Sequence, residues 1–194
     1  MAARFVDRNM GHIYLYYGTG GGKTTSALGL ALRSVGHERK VLIIQFMKYW
    51  NETGEYKVRE RLKPYYEIYQ FGIPGWLKNS KIEVKVNGDV GSSIRFPEEQ
   101  DIMKAKEALE FSKRMIKENA PDLLILDEIC LAVHFGLLKV SDVLALLREM
   151  PDDTDVVLTG RYVPQELIDI ADFVNEIREI KSPAKLVMKE GIQY

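Results

Sequence analysis

The chain has 194 residues, which at about 150 residues per domain fits a single domain spanning 1–194 with room for a small insertion. Hydrophobic residues make up 46% and charged residues 28%, which excludes a disordered tail or a collagen-like repeat, and the lone Cys130 excludes a disulfide framework or a cysteine zinc cluster. With 27 Lys+Arg against 28 Asp+Glu the net charge is −1, so neither a nucleic-acid partner nor an acidic solvating tail is expected.

In chain order, short apolar runs alternate with helical patterns, as in a mostly parallel α/β sheet flanked by crossover helices. Ile13–Tyr17 is the first strand, followed by glycines and a helix from Thr24 to Val35. Strands follow at Lys40–Phe46, Tyr65–Phe71, Asp122–Leu126, Asp155–Thr159 and Phe173–Ile180. Their apolar residues are continuous rather than alternating, which fits strands covered on both faces. The periodicity of Ile102, Ala105, Leu109, Met115 and Ile116 predicts a helix from Pro97 to Asn119, with the proline in its first turn. Ser141 is the expected N-cap of a helix ending at Met150, and Pro164 opens a short helix through Ala171. Earlier in the chain, between Gly72 and Phe96, residues 81–86 and 92–96 alternate around Asn87-Gly88, which predicts a small β-hairpin insertion near 80–96. Apolar runs such as Val41–Ile44 and Leu123–Leu126 are far shorter than the roughly 18 residues of a membrane span. The first ten residues lack the apolar core of a signal peptide. A cytoplasmic protein with no membrane partner is the expectation.

The most specific feature is Gly18-Thr19-Gly20-Gly21-Gly22-Lys23-Thr24-Thr25, set between a strand and a helix. Backbone N–H groups in such a loop can point at phosphate oxygens, and the helix N-terminus and Lys23 add positive charge. The Thr24 hydroxyl is then placed for Mg²⁺ (or Mn²⁺). The loop is one residue shorter than the usual G-x-x-x-x-G-K-[ST], whose first glycine would fall at Tyr17. The second element is Asp122–Glu128, an apolar strand ending in two acids. Carboxylates suit Mg²⁺, which makes Asp127 and Glu128 candidate metal ligands. Arg161, at the end of another strand, is a candidate for contact with phosphate or a carboxylate, and Lys181 a weaker one. His12, His37 and His134 read as structural.

Taken together these residues resemble the P-loop corrinoid adenosyltransferases of the ATP:cob(I)alamin type. The resemblance runs through the short loop and Ser26–Arg33, Gly36-His37, Val41–Lys48 ("VLIIQFMK"), Leu124–Ile129 ("LILDEI") and Val156–Arg161 ("VVLTGR"). It continues through Pro164, Leu167, Ile168, Ala171 and Asp172 to Glu176, Lys181 and Gly191–Tyr194, leaving only the hairpin region unmatched. Many relatives carry Asn and Lys where this loop has Thr19 and Gly21, and a His where it has Ser182.

The resemblance implies a RecA-like P-loop NTPase fold, a homodimer and a flavoprotein as the reductant. It also implies transfer of the 5′-deoxyadenosyl group of ATP to the cobalt of a reduced cob(I) corrinoid, releasing tripolyphosphate, with ATP bound in a reversed sense. Lys23 and Arg161 are then the catalytic candidates. Such a cobalt nucleophile carries no proton, so no general base is needed. For the broad corrin, aromatics near strand ends are the candidates: Trp50, Phe71 and Trp76. Two other readings of the phosphate loop stay open: a kinase or ATPase transferring the γ-phosphoryl group, and a non-enzymatic corrinoid carrier.

Overall fold

The computed structural model describes residues 11–77, 94–183 and 189–192. Six strands form one sheet: β1 (Ile13–Tyr17), β2 (Val41–Phe46), β3 (Tyr66–Phe71), β6 (Leu123–Asp127), β7 (Asp155–Gly160) and β8 (Phe173–Glu176). A separate two-residue ladder pairs β4 (Trp76–Leu77) with β5 (Ile94–Arg95), in parallel. The sheet order is β3-β2-β6-β7-β1-β8, parallel throughout. The strand ending in Asp127 is therefore not beside the phosphate-loop strand; β7 lies between them.

Both faces are covered, which explains the continuous apolar runs. On one side the 13-residue helix α1 (Lys23–Val35) buries Ala27 and Ala31 against Val41, Ile43, Leu123, Ile125 and Val157. The alternate residues of the same strands, Leu42, Ile44, Leu124, Leu126 and Leu158, face the other side. There they pack with residues of α3 (Glu99–Asn119), α4 (Ile129–His134) and α5 (Val140–Arg148). The short α2 (Gly54–Lys57) continues into a 3₁₀ turn at Val58–Arg61, and α6 (Gln165–Ile170) precedes β8.

Several expected boundaries move, each for a local reason. Pro97 lies outside α3, because Glu98 caps the helix in a reciprocal box: the Glu98 N–H donates to the Asp101 carboxylate (2.9 Å) while the Glu98 side chain receives a backbone N–H. Ser141 is not the cap of α5. Lys139 holds that position and the Ser141 hydroxyl donates to Asp142 instead (3.3 Å). Pro164 is the N-cap of α6, which ends at Ile170. The last strand ends at Glu176 rather than Ile180, since the backbone beyond it turns onto the phosphate loop. The hairpin predicted around Asn87-Gly88 lies outside the described residues.

Candidate functional site

The phosphate loop joins β1 to α1 at the C-terminal rim of the sheet. Gly18 sits at φ +114°, and a Cβ there would lie 2.4 Å from the Ile177 carbonyl oxygen, so the loop needs glycine both for backbone conformation and for close approach. Ile177 braces the loop: its N–H donates to the Tyr17 carbonyl (2.7 Å) and its carbonyl accepts from the Gly20 N–H (2.9 Å). The Gly20 amide is thus already committed to the protein. Gly22 is the N-cap of α1, with no side-chain cap and no acid in the first turn, so no residue of the helix itself offsets its positive end. Lys23 is buried, and its ammonium donates to the Gly20 carbonyl (2.6 Å). Burial lowers its pKa, Arg161 lowers it further, and Glu128 and Asp127 oppose both. Thr19, Gly21 and Thr25 are exposed around this core.

Thr24 links the loop to β6. Its hydroxyl donates to Asp127 Oδ1 (2.8 Å), which also accepts from the Thr159 hydroxyl on β7 (2.7 Å). Asp127 Oδ2 accepts from Lys48 Nζ (2.7 Å) and Gln45 Nε2 (3.1 Å). Asp127 is fully buried. Burial alone would raise its pKa, but the Lys48 charge and these hydrogen bonds outweigh it and hold the carboxyl below its ordinary value. Lys48 is held above its own, the pull of Asp127 overcoming burial.

Glu128, one residue on, is the opposite case. It turns the chain at φ 63°, ψ 17°, its N–H donates to the Thr159 hydroxyl (2.8 Å), and Oε2 is buried with no hydrogen-bond partner. Burial and the adjacent Asp127 charge raise its pKa. Lys23 and Arg161 act on it electrostatically in the opposite sense, and Arg161 is itself exposed just beyond β7. Thr24, Asp127 and Glu128 are hard oxygen donors of the kind Mg²⁺ takes. Within that set Asp127 has both oxygens occupied, whereas Glu128 has a buried oxygen unsatisfied. No group of three His, Cys, Asp or Glu clusters as a metal site among the described residues.

The aromatic candidates separate. Trp50 is 41% exposed and Tyr49 46%, both on the loop after β2. Phe71 is only 9% exposed and packs against Phe111 of α3, ring centroids 5.2 Å apart; it is a core residue in this arrangement. Trp76 begins β4. Three polar residues of the rim were not singled out as site residues from the sequence: Gln45, Lys48 and Thr159. One signal was readable: Gln45 is the single polar residue in the run Val41–Phe46. His134 lies against Tyr162, ring centroids 4.2 Å apart, and His12 against Phe173, 5.5 Å apart.

The family described as ATP:corrinoid adenosyltransferase BtuR/CobO/CobP matches residues 9–194. The chain belongs to this family. The corrinoid adenosyltransferase of Escherichia coli (strain K12) is 31% identical over 186 residues, covering 95% of this chain and 86% of the relative. Corrinoid adenosyltransferase CobA of Salmonella typhimurium is 30% identical over 191 residues, 97% and 88% of the two chains. The corrinoid adenosyltransferase of Pseudomonas aeruginosa is 28% identical over 186 residues, 95% and 84%. This corrinoid adenosyltransferase is therefore a transferase acting on ATP and a corrinoid. No helix among its described residues is long and apolar enough to cross a membrane.

Proposed function

We propose that this adenosyltransferase binds the triphosphate of ATP in the Gly18–Thr25 loop and presents the 5′ carbon to a cob(I) corrinoid lying over the Tyr49–Trp50 loop. The observation that carries the reading is the node at Asp127, where the phosphate loop, through Thr24, meets the loop after β2, through Lys48. A cobalt–carbon bond forms with the electron pair of Co(I). The bond between the 5′ carbon and oxygen breaks, and its pair leaves on tripolyphosphate. Negative charge grows on that leaving group. Lys23, the free loop amides and the N-terminus of α1 stabilise it more in the transition state than in the ground state. Arg161 adds positive charge at the same rim.

Mg²⁺ or Mn²⁺, when bound, supplies further positive charge to the triphosphate, and Thr24 and Glu128 are the residues to hold it, with Asp127 orienting Thr24. Trp50 packs on the corrin in this reading, Trp76 is a further candidate for that contact, and Phe71 supports that side from the core. The finer parts of the proposal are a homodimer, for which β8 offers an exposed edge bearing Phe173 and Val174, and a flavoprotein supplying the reduced corrinoid. A cytoplasmic setting fits Cys130, a lone buried thiol that burial pushes up to about 12.

The test is product analysis. Under anaerobic conditions with reduced corrinoid, ATP should yield the light-sensitive adenosylated corrinoid and tripolyphosphate in equal amounts over many turnovers. ADP as the product would point to phosphoryl transfer, and a single turnover per chain to a carrier; either overturns the reading.

A further inference from the structure

We infer that Gln45 and Gln70 are positioning residues that tether the Tyr49–Trp50 loop to Asp127, holding the corrinoid side of the site in register with the phosphate side. The inference rests on the reading that this loop faces the corrinoid.

The sheet register carries the argument. Gln45 on β2 stands opposite Gln70 on β3 and Asp127 on β6. These residues continue the α1-facing positions of their strands: Val41 and Ile43 precede Gln45, Ile68 precedes Gln70, and Ile125 precedes Asp127. At the next position along each strand toward the rim the apolar face gives way to a polar row. Gln45 is fully buried in that row, a placement that costs free energy unless its amide is satisfied. It is satisfied in one orientation. Its NH₂ donates to Asp127 Oδ2 (3.1 Å) and Glu55 Oε1 (3.3 Å), and its carbonyl accepts from Gln70 Nε2 (2.9 Å). Turning the amide over would set its oxygen against two carboxylates, so the neighbours fix its direction. Gln70 Nε2 also donates to the Trp50 carbonyl (3.2 Å).

The row thus holds one short loop and the helix that follows it at three points: at the loop's start through Lys48 to Asp127, at its middle through the Trp50 carbonyl to Gln70, and just past its end through Glu55 of α2 to Gln45. An apolar contact could bury these strands equally well. It would not fix the backbone of a loop whose aromatic side chains stand exposed.

The first test uses Gln70→Met, because Gln70 is half-buried on the edge strand β3 and methionine keeps its length. In a Trp76→Phe background, where Trp50 is the remaining tryptophan, acrylamide quenching of Trp50 should rise about twofold. In the otherwise unmodified chain the corrinoid KM should rise about fivefold, the scale of one lost hydrogen bond, while the ATP KM stays within twofold. Gln45→Met should do the same if its thermal midpoint shows that it folds; Gln70→Met decides the matter if it does not. Unchanged Trp50 quenching in Gln70→Met overturns the tether. Raised quenching with an unchanged corrinoid KM overturns instead the corrinoid placement of Trp50, and the inference falls with it. Equal rises in both KM values assign Gln70 a merely structural role and also overturn it.

Discussion

Asp127 and Glu128 are adjacent in the chain and share a buried rim, yet one carboxylate has four hydrogen-bond partners while the other has a buried oxygen with none. Their pKa values move apart accordingly, Asp127 down and Glu128 up. The difference lies in the backbone. Asp127 is the last residue of β6 and faces the polar row shared by β2 and β7, whereas the left-handed turn at Glu128 takes the next residue off the strand. A satisfied acid organises a site; an unsatisfied one is left to interact with what binds there. The comparison separates scaffold from ligand-binding function among residues that composition alone treats alike.

The largest expected effect sets the scale on the ligand side. Lys23→Ala should lower turnover by about 10²-fold or more, as for loss of one preorganised charge donor, with corrinoid affinity retained; steady-state kinetics on the folded variant checks this. Next, Trp50→Ala should weaken corrinoid binding by roughly 30-fold, equivalent to about 2 kcal/mol for an aromatic anchor that the ligand buries, and leave ATP affinity within twofold. Titration of both ligands reads that split. If Trp50→Ala weakens the two alike, the rim does not divide into a phosphate side and a corrinoid side.

The paired acids should part in a different measurement. Asp127→Asn removes charge-assisted bonds to Lys48, Thr24 and Thr159 and should cost on the order of 2 kcal/mol of stability, seen as a lower denaturation midpoint without ligands. Glu128→Gln should leave that midpoint unchanged or raise it, because it removes a buried charge with an unsatisfied oxygen, while raising the Mg²⁺ concentration needed for half-maximal activity. Equal destabilisation by both substitutions would erase the contrast.

The smallest effect concerns the ion pair beneath the aromatic side. Arg95 makes two bonds to Asp101 of α3 (2.5 and 2.7 Å) and one to the Pro74 carbonyl (3.1 Å), clamping the segment after β3. Burial would raise the Asp101 pKa, but Arg95 and the Glu98 amide outweigh it and hold it below its ordinary value. A carboxylate depressed on folding stabilises the fold above its unfolded pKa of about 3.9, and that contribution disappears as pH falls through the folded value. Asp101→Asn should therefore lower stability by about 1 kcal/mol near neutrality and flatten the acid limb of a pH–stability curve below about pH 4.

Much of the fold was readable because strand and helix signals here are local. Continuous Val, Ile and Leu runs mark strands covered on both faces, and Lys23-Thr24 after glycines marks the start of α1. Cap positions were less legible, since Glu98 and Ser141 differ by which neighbouring carboxylate or amide comes within reach. In the site, the phosphate loop and the two acids stood out as a motif. Lys48 and Gln45 did not, because their significance comes from register: β2 must pair with β6 before a buried glutamine and a loop lysine converge on Asp127. Phe71 shows the reverse failure. An aromatic at a strand end fits a ligand anchor or the core equally well until α3 brings Phe111 against it.

The Ile177 brace also bears on the order in which the protein is made. β1 lies between β7 and β8 in the sheet, so among the described residues its first strand neighbour is made only at residues 155–160 and its second at 173–176. The two bonds from Ile177 to Tyr17 and Gly20 come later still. On a ribosome the strands β2, β3 and β6 can begin to associate while the phosphate loop is unsupported. Nucleotide binding then becomes a marker of late folding: an ATP-dependent rise in protease resistance should appear only in nascent chains long enough to expose residue 177.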